Sequence, residues 1–397
     1  MTKWITYGVI LVALVAGIFF GIQLKISNQD KEENLLKQEV DEELNELTLE
    51  EKIAQLFIIS YRQDTVDETL RDLLNLKPGG FILFAENITD YERTTALIEE
   101  IESSADIPLW IAVDQEGGRV QRLKATNEMN ATNIPSMLQL GKTKDTKLAY
   151  DVGTVIAEEL RVFGVNMDFA PVLGVIGDEN NRVIGDRSFG TDVDVVTNMG
   201  LAVAKGLEDH DVIAVYKHFP GHGSTVVDSH YDLPVITKTK EELLASDLIP
   251  FQKAINAGAQ VMMIGHLAVP SITNNETPAS LSKEMITNLL KEEMGYQGLV
   301  VTDALNMGAL TNHYSEKEIY EKAINAGVDM LLMPTDLGSA ISYIKESISE
   351  GTITEEQIDE SVRKILSLKH RKLSQIKLDK ELLGSDLHQE IIKRISL

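Results

Sequence analysis

Eight short apolar runs, each of strand length, recur along the chain, and most are separated by longer amphipathic segments. The runs are Ala54–Ser60, Gly80–Phe84, Leu109–Asp114, Val165–Pro171, Val212–His218, Val261–His266, Leu299–Asp303 and Asp329–Met333. Helical patterns lie between them at Tyr91–Ser103, Lys147–Phe163, Val195–Leu207, Lys240–Asn256, Ser282–Glu293 and Glu316–Asn325, and after the last at Ser339–Ser349. Parallel strands need long crossover connections, so this alternation predicts an α/β chain with a parallel sheet. Eight regular units suit closure into a single (β/α)8 TIM barrel, with a doubly wound open sheet as the alternative. Residues 44–397 are expected to form that barrel, with Glu355–Lys369 and Lys380–Ser396 as extra helices outside it. No internal repeat and no Pro/Gly-rich linker divides them.

The amino terminus is of another kind. Trp4–Leu24 carries no charge and is about twenty residues long, enough to cross a bilayer. The run offers no small-residue cleavage site, and the chain has no cysteine to carry a lipid. Residues 1–25 are therefore expected to be an uncleaved transmembrane signal-anchor helix, a single pass in the cell membrane. Lys3 and the free amine favour an inside N-terminus and an extracytoplasmic barrel, although Lys25 flanks the other end. Residues 26–43 follow as an acidic tether: from Ser27 to Glu43 the only apolar side chains are Leu35, Leu36 and Val40. That stretch predicts a solvated tether or a weak helix. A net charge of −25 argues against nucleic acid as a partner and is silent about a neutral sugar.

In a barrel of this type chemistry gathers where the strands end. The third run ends in Asp114 and opens into Gln115-Glu116-Gly117-Gly118-Arg119-Val120-Gln121-Arg122, and Ile184–Gly190 follows the fourth. The fifth ends in Lys217-His218, the sixth in His266 and the seventh in Asp303. Charges are a costly way to finish apolar strands without a site to serve. The densest stretch is Lys217–His230. Pro220, Gly221 and Gly223 forbid a helix there and leave the loop able to move. Asp228 and His230 then share one face of an extended segment, so the carboxylate can orient the imidazole for proton transfer. Turn-forming polar residues are the alternative reading, but three histidines, Lys217 and Asp228 in one loop favour function.

Lys217-His218-Phe219-Pro220-Gly221-His222-Gly223 followed by Asp228-Ser229-His230 resembles the signature of glycoside hydrolase family 3, in its β-N-acetylhexosaminidase branch. Leu47–Ile53 is similar to that family's opening helix, and Asp114–Val120 and Gly185–Gly190 to its sugar-binding loops. Val301–Met307 resembles the segment that holds its nucleophile, so the resemblance runs from about Leu47 to Pro334. It implies Asp303 as the nucleophile, His230 as the acid/base and Asp228 as the group orienting it. It also implies that Asp114, Arg122, Arg187, Lys217 and His218 hold the sugar's hydroxyls and acetamido group. Each of these taken singly also fits a surface ion pair, and Asp303 also fits a salt bridge to Lys217 or Arg187. Met262, or its neighbour Met263, is expected against the sugar unless it is core. Trp110 reads as core. One departure is Gly174, where the family commonly has an aspartate.

Together with the uncharged amino-terminal run, the resemblance therefore implies a membrane-anchored, retaining exo-β-N-acetylglucosaminidase (a β-N-acetylhexosaminidase) with no cofactor and no metal. It would release terminal GlcNAc from peptidoglycan- or chitin-derived fragments. The alternatives are a β-N-acetylglucosaminide phosphorylase, a broad β-glycosidase, and a metal-dependent hydrolase using His218, His222, His230 and His266 with Asp303. A membrane-tethered sugar-binding protein without catalysis is the remaining one.

Overall fold

The structure, a computed structural model, describes residues 31–126, 128–177, 181–225, 227–373 and 377–396. The eight strands are β1 (Phe57–Ser60), β2 (Gly80–Leu83), β3 (Trp110–Val113), β4 (Met167–Asp168), β5 (Ile213–Phe219), β6 (Val261–Ile264), β7 (Leu299–Thr302) and β8 (Leu331–Leu332). Each pairs in parallel with its neighbours in the order β7-β6-β5-β4-β3-β2-β1-β8. The two ends of that row meet through a parallel bridge between Val301 and Met330. The sheet is thus a (β/α)8 barrel. Its strands are buried on both faces, which is why they read as continuous Val/Ile/Leu/Met runs rather than alternating ones.

The helices outside the barrel are cut by local chemistry. Thr48 and Glu51 form a reciprocal capping box that starts Leu49–Gln55, and the Asp90 carboxylate caps Tyr91–Ser103. Tyr91–Ser103 buries Thr94, Leu97, Ile98 and Ile101, a helical stripe against the sheet. The run predicted as one helix over Lys240–Asn256 is two, Lys240–Leu244 and Ile249–Asn256. Pro250 lacks an N–H and so opens the second helix rather than continuing the first. Ala54 and Gln55 finish a helix instead of beginning β1, and Glu68–Asn75 and Met137–Thr143 are helices that the pattern did not predict. The fourth and eighth runs yield only two-residue strands.

Residues 31–46 are helical, the second of the two expectations for the tether. Among the described residues no helix is long and apolar enough to cross a membrane. The expected anchor at Trp4–Leu24 lies outside the described residues.

Candidate active site

All eight strands deliver side chains to one cavity of about 280 Å³ at their carboxyl ends. Arg62 and Phe84 come from beyond β1 and β2, Asp114, Glu116 and Arg122 from beyond β3, and Arg187 from the loop after β4. Lys217 and His218 lie on β5, Met263 on β6, Asp303 just past β7 and Met333 past β8. His222, Ser229 and His230 come from the loop after β5.

The floor is an ion network. Lys217 places its ammonium 2.7 Å from Asp114 and 2.6 Å from Glu116. Arg187 grips Glu116 with two bonds, Nε to Oε2 at 2.7 Å and Nη2 to Oε1 at 2.8 Å, while Arg122 meets Asp114 at 3.1 Å. Lys217 and Glu116 are each 2 % exposed, and burial of that depth is tolerable for charges only when they are paired. Burial pushes the Asp114 carboxyl up, but Lys217 and Arg122 outweigh it and hold the pKa at about 2. Glu116 is held below its ordinary value in the same way: burial is overcome by Arg187 and Lys217. Burial pulls the Lys217 pKa down, yet the two carboxylates keep it above its usual range. The floor is therefore ionised, with three cations against two anions. Beneath it Asp168 is pushed well up by burial, and its Oδ2 has no partner.

Asp303 faces this floor from β7. Its Oδ1 accepts the Ala304 N–H at 2.8 Å, and its backbone N–H is fixed on Ile264 O at 2.9 Å. Its Oδ2 is 3.8 Å from Nε2 of His218. Burial, then the charges of Arg187 and Lys217, push the His218 pKa well down, so that imidazole is neutral. Lys217 and Arg187 are engaged by Asp114 and Glu116, which disposes of the salt-bridge reading of Asp303.

The Asp228–His230 pair is formed as expected. His230 Nδ1 is 2.7 Å from Asp228 Oδ1, which also accepts the His230 backbone N–H at 3.0 Å. Burial raises the Asp228 carboxyl, but these bonds from His230 bring it below its ordinary value. An ionised Asp228 puts the proton of the neutral ring on Nδ1 and leaves Nε2 for proton transfer. Unlike the floor, His230 is exposed.

Residues 48–368 match the Glycosyl hydrolase family 3 N terminal domain. The chain belongs to glycosyl hydrolase family 3. It is 34% identical over 351 residues to Beta-hexosaminidase A of Pseudoalteromonas piscicida, covering 80% of this chain but only 58% of that one. It is 32% identical over 332 residues to Beta-hexosaminidase LpqI of Mycobacterium tuberculosis, covering 81% of this chain and 83% of the relative. A solved family 3 β-N-acetylglucosaminidase from Paenibacillus sp. str. FPU-7 superposes with a TM-score of 0.83 at 35% identity. That match covers 88% of this chain and 68% of the other.

In this family 3 chain the sequence brings Asp114, Arg122, Arg187, Lys217, His218, His230 and Asp303 to one cavity, with Asp228 behind His230. Met262 is a correction: it is fully buried, and Met263 lines the cavity instead. Neighbouring strand residues face opposite ways, so only one of the pair reaches the site. Trp110 is core. His266 has both ring nitrogens engaged, by Ser280 Oγ at 2.7 Å and Ala304 O at 2.9 Å, so it is not free to bind a metal. Glu116 is the main residue without an expected role. Its signal was its place two residues after Asp114, on the same face of an extended chain. His222, Arg62 and Phe84 also line the cavity. Gly174 faces the backbone of His222 and Gly223, with ordinary contact distances of 3.7 Å from its Cβ position.

Proposed function

We propose that this chain is a retaining exo-β-N-acetylhexosaminidase that releases terminal GlcNAc through a covalent glycosyl-enzyme on Asp303. The observation that carries the reading is one cavity holding a rigid strand-end carboxylate, Asp303, and a carboxylate-oriented imidazole, His230. The names of the relatives point to the same sugar.

In the first step the Asp303 carboxylate attacks the anomeric carbon, and the bond from that carbon to the leaving oxygen breaks. His230 Nε2 delivers a proton to that oxygen, and Asp228 stabilises the imidazolium before transfer. In the second step the neutral His230 takes a proton from water, whose oxygen attacks the anomeric carbon and releases Asp303. The ionised floor supplies the donors and acceptors for the hydroxyls and the acetamido group. Its fixed ion pairs need no rearrangement when the sugar enters.

The test is a comparison of nitrophenyl β-GlcNAc with nitrophenyl β-glucoside. Loss of the acetamido group should lower kcat/KM by about two orders of magnitude, because buried site groups lose their partners. Equal efficiency on the two would overturn the hexosaminidase reading, and sugar 1-phosphate formed in phosphate buffer would make the enzyme a phosphorylase. We further propose that Trp4–Leu24 anchors the enzyme in the cell membrane, with the barrel outside and fragments of peptidoglycan or chitin as substrate. Full-length protein should then stay with membranes through a high-salt wash, and its release by salt would refute the anchor.

A further inference from the structure

We infer that Gly308 is a positioning residue for proton transfer: its bare Cα is the seat on which the loop carrying His230 rests. The inference depends on His230 being the acid/base. Three backbone carbonyls of that loop are held by one short turn, Gly308–Thr311, and the residue after it. Gly308 N–H donates to His230 O at 3.1 Å, and Ala309 N–H to Ser229 O at 3.1 Å. The Asn312 side-chain amide donates to Tyr231 O at 2.9 Å. His313 Nε2 lies 3.2 Å from Asp232 Oδ1 at the end of the same contact. His230 is itself exposed, so side-chain packing does little to hold it. Apart from the Asp228 carboxylate that orients the ring, its position is set by its own backbone.

The seat admits no side chain. A Cβ on Gly308 would lie 2.7 Å from Tyr231 O and 2.9 Å from His230 O, and both are backbone atoms that cannot turn aside. The glycine is not required by its own conformation, since its φ is outside the left-handed region. Alanine is the better helix former, so a turn considered alone would favour it. The close approach of the loop is what excludes alanine. Gly308 also lies five residues beyond Asp303 on the same β7 loop, and Ala304, Asn306 and Met307 between them line the cavity. One segment thus fixes the nucleophile at one end and the acid/base loop at the other.

The test is Gly308→Ala, assayed beside His230→Ala and the double variant on a β-GlcNAc disaccharide and on nitrophenyl β-GlcNAc. Misplacing a catalytic group by about 1 Å costs up to about 10²-fold. Gly308→Ala should therefore lower kcat/KM on the disaccharide at least about 10-fold, and on the nitrophenyl substrate less than about 3-fold. In the His230→Ala background it should add nothing, because it acts through His230. Asn312→Ala leaves the glycine in place and should give a smaller change in the same direction. It decides the matter if Gly308→Ala is not recovered folded. Equal losses on both substrates, no loss on either, or a further loss in the His230→Ala background would overturn the seat. If His230→Ala itself shows no dependence on the leaving group, the acid/base assignment falls, and the seat with it. If His230→Ala shows that dependence and Gly308→Ala does not, only the seat is wrong.

Discussion

The floor of the cavity and the loop above it hold their charges by opposite means. Asp114 and Lys217 sit at strand ends and Glu116 and Arg187 on the loops that follow, all largely out of water, and each meets at least one opposite charge within 3.1 Å. The imidazole of His230 rides on an exposed loop, oriented by Asp228 and by backbone bonds to the neighbouring β7 loop. Recognition of a fixed sugar benefits from groups that do not reorganise. Proton transfer has two jobs, first to the leaving oxygen and then from water. It needs a group that reaches both and exchanges protons with solvent. The difference teaches that damage to the floor should fall equally on every substrate, whereas damage to the loop should depend on the leaving group.

The largest effect is expected where the two regions meet, at Asp303. In the proposed mechanism Asp303→Ala removes the atom that forms the covalent bond, so kcat should fall by roughly 10⁴-fold or more on every substrate. Residual turnover that keeps its leaving-group dependence and stereochemistry would place the nucleophile elsewhere. Next comes Lys217→Met. It leaves two buried carboxylates short of a partner, and breaking a buried pair costs about 3–5 kcal/mol. Denaturant melts should show that loss, together with equal falls in kcat/KM for good and poor leaving groups. A stable variant with a selective loss would blur the division between floor and loop.

His230→Ala should cost about 10²-fold or more on a disaccharide and much less in kcat/KM on a nitrophenyl glycoside, whose leaving group departs without a proton. Asp228→Ala should be a milder form of the same defect, since the ring remains but loses its orientation. Equal losses on both substrates would remove the acid/base role.

The smallest effect concerns pH and stability. The pKa of Asp114, about 2, is depressed from an ordinary 3.8. A depressed carboxylate gives stability that is present above the unfolded value and lost as pH falls through the folded one. The sum is about 2 kcal/mol lost between roughly pH 4 and pH 2. Replacing Asp114 by Asn should flatten that limb of the stability curve, and the same change at the more exposed Asp228 should alter it little. Equal effects at the two sites would contradict the contrast between them.

Much of this was legible in the sequence, and unevenly. The eight strands were clear because a parallel sheet covered on both faces leaves uninterrupted apolar runs. Their ends were not, since Phe169, Ala170 and Pro171 carry the apolar run on beyond the two residues that pair as β4. The Lys240–Asn256 run hid a break, because Ser246 and Asp247 continue a helical pattern while Asp247 turns inward to accept Ser224 and Ser246. In the site, the strand-end charges and the Asp228–His230 pair could be read from type and spacing. The choice of Met263 over Met262 depends on strand phase, which a buried run does not display. The seat at Gly308 lay beyond reach, because a glycine needed for a neighbour's approach looks in sequence like any other glycine.

The most direct test of the division of labour is turnover of nitrophenyl β-GlcNAc by His230→Ala with and without azide. Glycosylation of Asp303 should survive and water should lack its base, so a burst of nitrophenol should precede slow turnover. Azide needs no deprotonation; it should restore turnover and yield the β-glycosyl azide, the product of two displacements. An α-glycosyl azide would mean a single inverting displacement and would take the nucleophile's role from Asp303. No burst and no response to azide would take the proton-transfer role from His230.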